Sequence, residues 1–383
     1  LDPFWFLERM ITGGGGGNPE NVWALDHKGQ GYFVSPGGRG TPGPGTILKL
    51  DCATGKPVMD FSYNGQAQLA EQRAFLGTPH AKGDDDAQVG PVRYLAVDGS
   101  GNILLAGAKG LKIYRADGQF AGRLTEVDIE GQRVALSLLH GVRAVRDAFY
   151  LVTRTDEEVK GQLSVWKKTR LIKLAGDPVK PRAVWSVELD RVARHIAVDT
   201  SKTPWVVWVG NGAGVATFTR IVDAGDKAAE VKHLGGGFRK NKLGQPFSIA
   251  LDGQGRLLVQ DWDRQRIIRT NDDGTEWTEI DERPRTMFYD RRRDHLYGQH
   301  ERIWRYELKN LKSGARGRGA ALKGGGVLGG TDAERNLYAQ VLGRVDQYAP
   351  DGNLKQQGIA NSSPVAGWPS TGKAPSTSWI RPR

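Results

Sequence analysis

Residues Pro246–Trp277 read PFSIALDGQGRLLVQDWDRQRIIRTNDDGTEW. An apolar run, Ser248–Leu251, meets Asp252-Gly-Gln-Gly255, and a second apolar run, Leu257–Val259, follows. After a polar kink come Ile267-Ile268 and the turn tetrad Asn271-Asp-Asp-Gly274. Short runs cut off by Gly, Asp and Asn predict an antiparallel meander of brief strands.

The same design recurs on both sides. Upstream lie Val22–Asp26 with Gly31–Val34, Ile47–Asp51 and Val58–Phe61, then Tyr94–Asp98 with Ile103–Ala106 and Leu111–Tyr114. A third unit joins Val142–Val145, Phe149–Val152, Leu163–Trp166 with Leu171–Leu174, and Ala183–Val187; a fourth joins His195–Asp199, Trp205–Val209 and Ala216–Val222. Downstream lie Thr286–Asp290 with His295–Tyr297 and Arg302–Tyr306, then Gly330–Asp332 with Asn336–Ala339 and Val345–Tyr348. An Asp closes the first run at 26, 98, 199, 252, 290 and 332, with Arg146-Asp147 in that place in the third unit. Most intervals are about 40–50 residues, the length of one four-stranded propeller blade. A helical solenoid would show 3.6-residue periodicity, which is absent. Each Asp precedes turn residues, where its carboxylate can accept backbone N–H bonds, so these aspartates are architecture and not an acid–base array.

The expectation is therefore an all-β chain folded as a single β-propeller over residues 20–357. Seven units imply seven blades, with six and eight left open by the long interval between Asp26 and Asp98. An aromatic and Gly-rich segment, 1–19, precedes the ring, and an irregular, extended Pro/Ser/Gly-rich tail, 358–383, follows it. Within the first segment Phe4-Trp-Phe6 is expected to cover an apolar surface and Gly13–Gly17 to form a hinge or tight loop; no GK[ST] follows to make it a phosphate cradle. Pro36–Gly45 predicts a surface loop and Gln66–Phe75 a short helix. Asp84–Asp86 predicts a solvated loop, since the Glu that an EF-hand spacing requires is missing.

Composition agrees. The 52 glycines in 383 residues are about twice ordinary usage and have no collagen period, so the excess belongs to turns. Lys and Arg number 54 against 43 Asp and Glu, a net charge of +11, which draws a chain toward polyanions. The densest basic stretches are Arg283-Pro-Arg285 through Arg291–Arg293, and Lys309–Lys323. Neither interleaves aromatic residues as single-strand nucleic-acid binders do. The single cysteine, Cys52, excludes an internal disulfide, zinc fingers, iron–sulfur clusters and covalent haem. No apolar run approaches the ~18 residues of a transmembrane helix. The sequence begins at Leu1, and cleavage of a secretion signal would explain that start, so a periplasmic or extracellular location is expected.

Ile249-Ala-Leu-Asp252, Gly255, Leu257–Val259, Asp261, Arg266-Ile267 and Asp273-Gly274 fall where the NHL repeat places such residues. The chain resembles that repeat well over 246–275 and 91–118 and loosely elsewhere; Arg264 stands where the repeat usually has Asn. The resemblance implies a β-propeller whose inner strands line a central channel, with ligands taken at one end. It also implies kinship with propeller hydrolases, lactonases and lyases that hold one divalent metal on the channel axis.

Three functions follow, in order. The first is a non-catalytic propeller mediating protein–protein contact as a subunit of an exported or extracellular assembly, without a cofactor and without metal ligands. Its contacts are expected at the corner Asp261-Trp262-Asp263-Arg264 and through the C-terminal tail. The second is a metal-dependent hydrolase, lactonase or lyase with one Ca or Zn ion in the channel; His140, His195, His300 and Glu301 stand at strand entries as its candidate ligands. His195, four residues before Asp199, leads them. No HExxH or GxSxG motif accompanies them. The third is a polyanion or glycan binder.

Overall fold

The structure, a computed structural model, describes 94–361 except 108, 160–165, 190–191, 212–216, 236–245, 253, 262–265, 272–277, 281–285, 291–293, 300–302, 309–315, 318–319, 322–326, 332–335 and 342–343. Before residue 94 it describes 7–10, 23–25, 30–34, 47–51, 56–57, 61–62, 73–74, 76–77, 89 and 92. Among the described residues there is no α-helix, and no helix is long and apolar enough to cross a membrane.

The founding stretch folds as expected. Pro246–Leu251, Leu257–Asp261, Arg266–Thr270 and Thr278–Ile280 pair in antiparallel sequence. Arg266–Thr270 is buried at every position. A strand sandwiched between two neighbouring sheets buries both faces, which is why these strands read as short continuous apolar runs without alternation.

Among the described residues, seven sheets of four or five strands follow one another along the chain. The first four hold Trp23–Leu25 to Lys56–Pro57, Tyr94–Val97 to Phe120–Leu124, Gly141–Val145 to Arg182–Leu189, and Ala193–Asp199 to Ala228–Gly235. The founding stretch is the fifth. The sixth contains Thr286–Asp290, His295–Gln299, Ile303–Glu307 and Ala320–Ala321, and the seventh runs from Val327–Thr331 to Leu354–Asn361. First strands pack on first strands from the first sheet through the fifth and again from the sixth to the seventh, while Leu354–Asn361 and Lys56–Pro57 bring the seventh sheet back to the first. This is a β-propeller. Nothing in the arrangement is peculiar to the NHL repeat among propeller repeats.

Apolar side chains fill the spaces between sheets. Tyr32, Ile47, Leu105 and Tyr114 lie between the first and second, and Leu104, Ile113, Phe149 and Leu174 between the second and third. Tyr150, Trp185, Val207 and Ile221 lie between the third and fourth; Trp208, Phe218, Ile249 and Leu257 between the fourth and fifth.

Two sheets carry a fifth strand from outside their own run of chain. Leu7–Met10 pairs with Thr286–Asp290 on the inner side of the sixth sheet, Leu7 opposite Asp290 and Met10 opposite Met287. It also packs on the first strands of the fifth and seventh sheets. Arg316–Gly317 runs parallel to Glu279–Ile280 on the outer edge of the fifth.

The repeated aspartates act as turn fasteners wherever their side chains are described. Asp252 Oδ1 accepts the amides of Gln254 and Arg256, both at 2.9 Å, and Oδ2 accepts Arg256 Nε at 2.6 Å. Asp98 holds the amides of Ser100 and Asn102 at 2.9 and 2.8 Å, and Asp199 holds that of Ser201 at 3.0 Å. The third sheet departs from this plan: Val145 pairs with Ala148, so Arg146-Asp147 is a two-residue reversal, with Arg146 at φ 54°.

Of the segments predicted individually, Arg73–Ala74 is a strand paired with Phe61–Ser62, not the end of a helix, and residues 66–72 lie outside the described residues. So do Phe4–Phe6, Gly13–Gly17, Pro36–Gly45 and Asp84–Asp86. The last strand runs to Asn361, four residues into the expected tail, and 362–383 lie outside the described residues.

Candidate functional site

Antiparallel sheets put the starts of first strands and the finishes of second strands at one end of the propeller, called here the loop end. The Asp-fastened reversals occupy the other, the turn end.

His140, His195 and Asp261 all stand at the loop end. His140 immediately precedes Gly141–Val145, and its amide donates to Val152 O at 2.7 Å, fixing it against the middle of the second strand. His195 lies near the start of Ala193–Asp199, opposite Gly210, where the register shifts between Ala193 and His195. Both imidazoles are half-buried, and the first strands that carry them are neighbours. Asp261 ends the second strand of the fifth sheet and pairs in register with Pro246 and Arg266. His300 and Glu301 lie outside the described residues, as do Trp262, Asp263 and Arg264. Among the described residues no three His, Cys, Asp or Glu side chains gather as a metal site.

The best-defined polar geometry at this end is built on Arg266. Its Nε donates to Asp261 Oδ2 at 3.1 Å, and its Nη1 donates to Glu279 Oε1. Asp261 is fully buried and Arg266 nearly so, with Glu279 at their side. A buried cation held between two carboxylates ties the second, third and fourth strands of the fifth sheet together. Losing one member would strand a buried charge, at a cost of about 3–5 kcal/mol. Of the predicted corner, Asp261 is the residue the structure describes, and it is engaged by Arg266.

A second polar cluster joins the third and fourth sheets and was not singled out in the sequence. Asp223 is nearly inaccessible and takes four donors: Tyr150 Oη at 2.6 Å, Lys173 Nζ at 2.9 Å, Trp185 Nε1 at 3.0 Å and the Gly225 amide at 2.9 Å. Lys173 also donates to Gly225 O at 2.8 Å and lies over the Trp205 ring, as does Arg146. Burial, and after it the Asp223 carboxylate, pushes the Tyr150 phenol far above its ordinary range. A carboxylate so saturated has no capacity left to act as a base, and the phenol stays a neutral donor. The cluster is a staple between sheets. Its sequence signal was faint: one Lys inside Leu171-Ile-Lys-Leu174 and one Asp ending Phe218–Asp223.

At the turn end, the Arg115 guanidinium beside Asp177 holds that carboxyl below its usual range, helped by the Val179 amide. Both contacts of this fork are 3.3 Å and join the second sheet to the third. Lys232 and then Arg220 lower Glu230 in the same sense on the rim of the fourth sheet.

No family model matches the chain, and no curated protein matches it. Among solved structures it is similar to virginiamycin B lyase from Staphylococcus aureus, at 12% identity and a TM-score of 0.49, over 91% of this chain and 97% of that one. A streptogramin B lyase aligns at 14% identity and a TM-score of 0.49, over 91% and 96%. A gluconolactonase from Xanthomonas campestris aligns at 12% and 0.47, over 80% and 95%.

Proposed function

We propose that this propeller is a non-catalytic binding protein that holds protein partners, taking extended segments along the edges of its sheets. The supporting observation is the fifth strand on each of two sheets: Leu7–Met10 on the sixth and Arg316–Gly317 on the fifth. Strand addition uses the unpaired backbone groups that a sheet edge presents and needs no sequence motif at all. It therefore suits a chain without catalytic signatures. The corner Trp262-Asp263-Arg264, which follows the Arg266-bound Asp261 in sequence, supplies the side chains that choose among partners, and the tail after Asn361 is a further anchor.

The test is to isolate the protein from its source after mild cross-linking and measure complex mass and metal content together. The expected result is a stoichiometric protein complex that loses its partner when Trp262-Asp263-Arg264 is replaced by Gly-Ser-Gly, with thermal stability unchanged. A single chain carrying one tightly bound Ca or Zn ion, lost on His195→Ala, would overturn the proposal. It would favour the second reading, a metal-dependent hydrolase or lyase, which is motivated by the placing of His140 and His195 on neighbouring first strands at one end.

A further inference from the structure

We propose that the outer strand of the fourth sheet is a self-recognition edge, which pairs antiparallel with the same strand of a second copy of this chain. This goes beyond the function proposed above and does not rest on it, because it needs this one edge and no other protein. The outer strand of a propeller sheet presents a row of unpaired N–H and C=O groups unless something covers it. On the fifth sheet Arg316–Gly317 takes that place. The hairpin of Glu126–Ile129 and Gln132–Ala135 packs against the outer strand of the third, Arg182–Leu189, and Lys56–Pro57 packs against that of the seventh, Leu354–Asn361. Ala228–Gly235, eight residues long, ends the fourth sheet, and among the described residues no further strand pairs with it. Ala229, Val231, Lys232 and His233 are exposed. Val231, at 40%, is one of two large apolar side chains so placed among the described residues.

The strand reads AAEVKHLG, and its centre is complementary to itself. A two-fold pairing sets residue i of one copy against residue j of the other, and j against i. With Val231 opposite Val231, Glu230 stands opposite Lys232 and Lys232 opposite Glu230. That gives two opposite-charge pairs around an apolar contact. Opposed residues in antiparallel strands share a face and a hydrogen-bonding type, and both alternate along each strand. A slip of one residue is therefore excluded. A slip of two puts Glu230 against Glu230 or Lys232 against Lys232, and like charges directly opposite are destabilising. One register is selected.

A lone Lys on an edge strand keeps other strands away. Here the Glu two residues earlier makes that Lys a match for the same sequence read backwards. The charges already share a face: within the chain Lys232 Nζ is 2.6 Å from Glu230 Oε1, and Arg220 Nη1 is 2.9 Å from Glu230 Oε2. The bulge opposite Val222 and Asp223 falls at Ala229, a small residue at the end of the paired run.

The test is sedimentation equilibrium on the intact chain over a range of concentrations. Wild type, Glu230→Lys and Lys232→Glu are each run alone, and the two variants are also mixed one to one. The wild type should dimerise. Each variant alone should dimerise about tenfold or more weakly, because its copies face each other with like charges. Lys232→Glu, which leaves the Arg220 contact of Glu230 in place, should keep the wild-type unfolding midpoint. The mixture should recover a one-to-one dimer within about threefold of wild-type affinity, since the two variants are complementary to each other. A wild type that stays monomeric, a dimer indifferent to both variants, or a mixture that stays monomeric would overturn the proposal. So would an unrelated protein held along this strand in place of the second copy, seen as cross-links from Lys232 in material from the source.

Discussion

Asp223 shows how much a single carboxylate can decide in a stacked-sheet protein. Four donors from three strands and a turn meet on it, so Asp223→Ala strands a buried Lys173. That variant should lose about 3–5 kcal/mol, read from urea unfolding. Tyr150 makes a sharper test. Its phenol is raised, so it stays neutral in the fold while the unfolded chain's tyrosine ionises near pH 10. Its influence on pH dependence is absent below that value and turns against folding above it. In a titration followed by phenolate absorbance, Tyr150→Phe should remove a transition that appears only as the protein unfolds. Asp177 has the opposite sign. Arg115 lowers it, so its contribution is present above the usual carboxylate range and is lost as pH falls through the lower, folded value. Comparing wild type with Asp177→Asn across acid pH should show a difference that fades toward low pH.

The strands and turns were the most legible elements, because a blade strand is a short apolar run and its reversal is an Asp followed by Gly. Ile103–Gly107 and Leu257–Asp261 are strands where the residues predict them. The third unit's longer strands were harder to see, since Ala148–Val159 carries Arg154 to Glu158 past its apolar part. Strand additions were invisible for a different reason. Leu7–Met10 joins the sixth sheet through backbone pairing, and no side-chain pattern records a partner some 280 residues away. The candidate site was legible only in placement: strand-entry histidines were found, while the Arg266 bridge between Asp261 and Glu279 needed the register of three strands. Turns also interlock between sheets. Gly255, at φ 74°, lies where a Cβ would come within 2.5 Å of Asp199 Oδ2. Gly255→Ala should therefore cost about 1–3 kcal/mol in unfolding experiments. The same change at Gly131, whose added Cβ meets nothing within 4 Å, should cost only its positive-φ strain.

At the scale of the molecule, a ring of sheets covers most of its own edges, and what it leaves open is the channel side and the outer rim. The N-terminal strand occupies the first, and Arg316–Gly317 and Ala320–Ala321 lie along the second. Under the proposed function, a partner's segment pairs with a sheet edge as these remote segments do. The most direct measurement is amide hydrogen exchange on the intact chain and on one lacking residues 1–12, with and without a peptide of that sequence added in trans. Met287–Asp290 should lose protection by about tenfold or more on truncation and recover it when the peptide binds. Unchanged protection after truncation, or a peptide that neither binds nor restores it, would contradict the proposal that this propeller takes segments by strand addition.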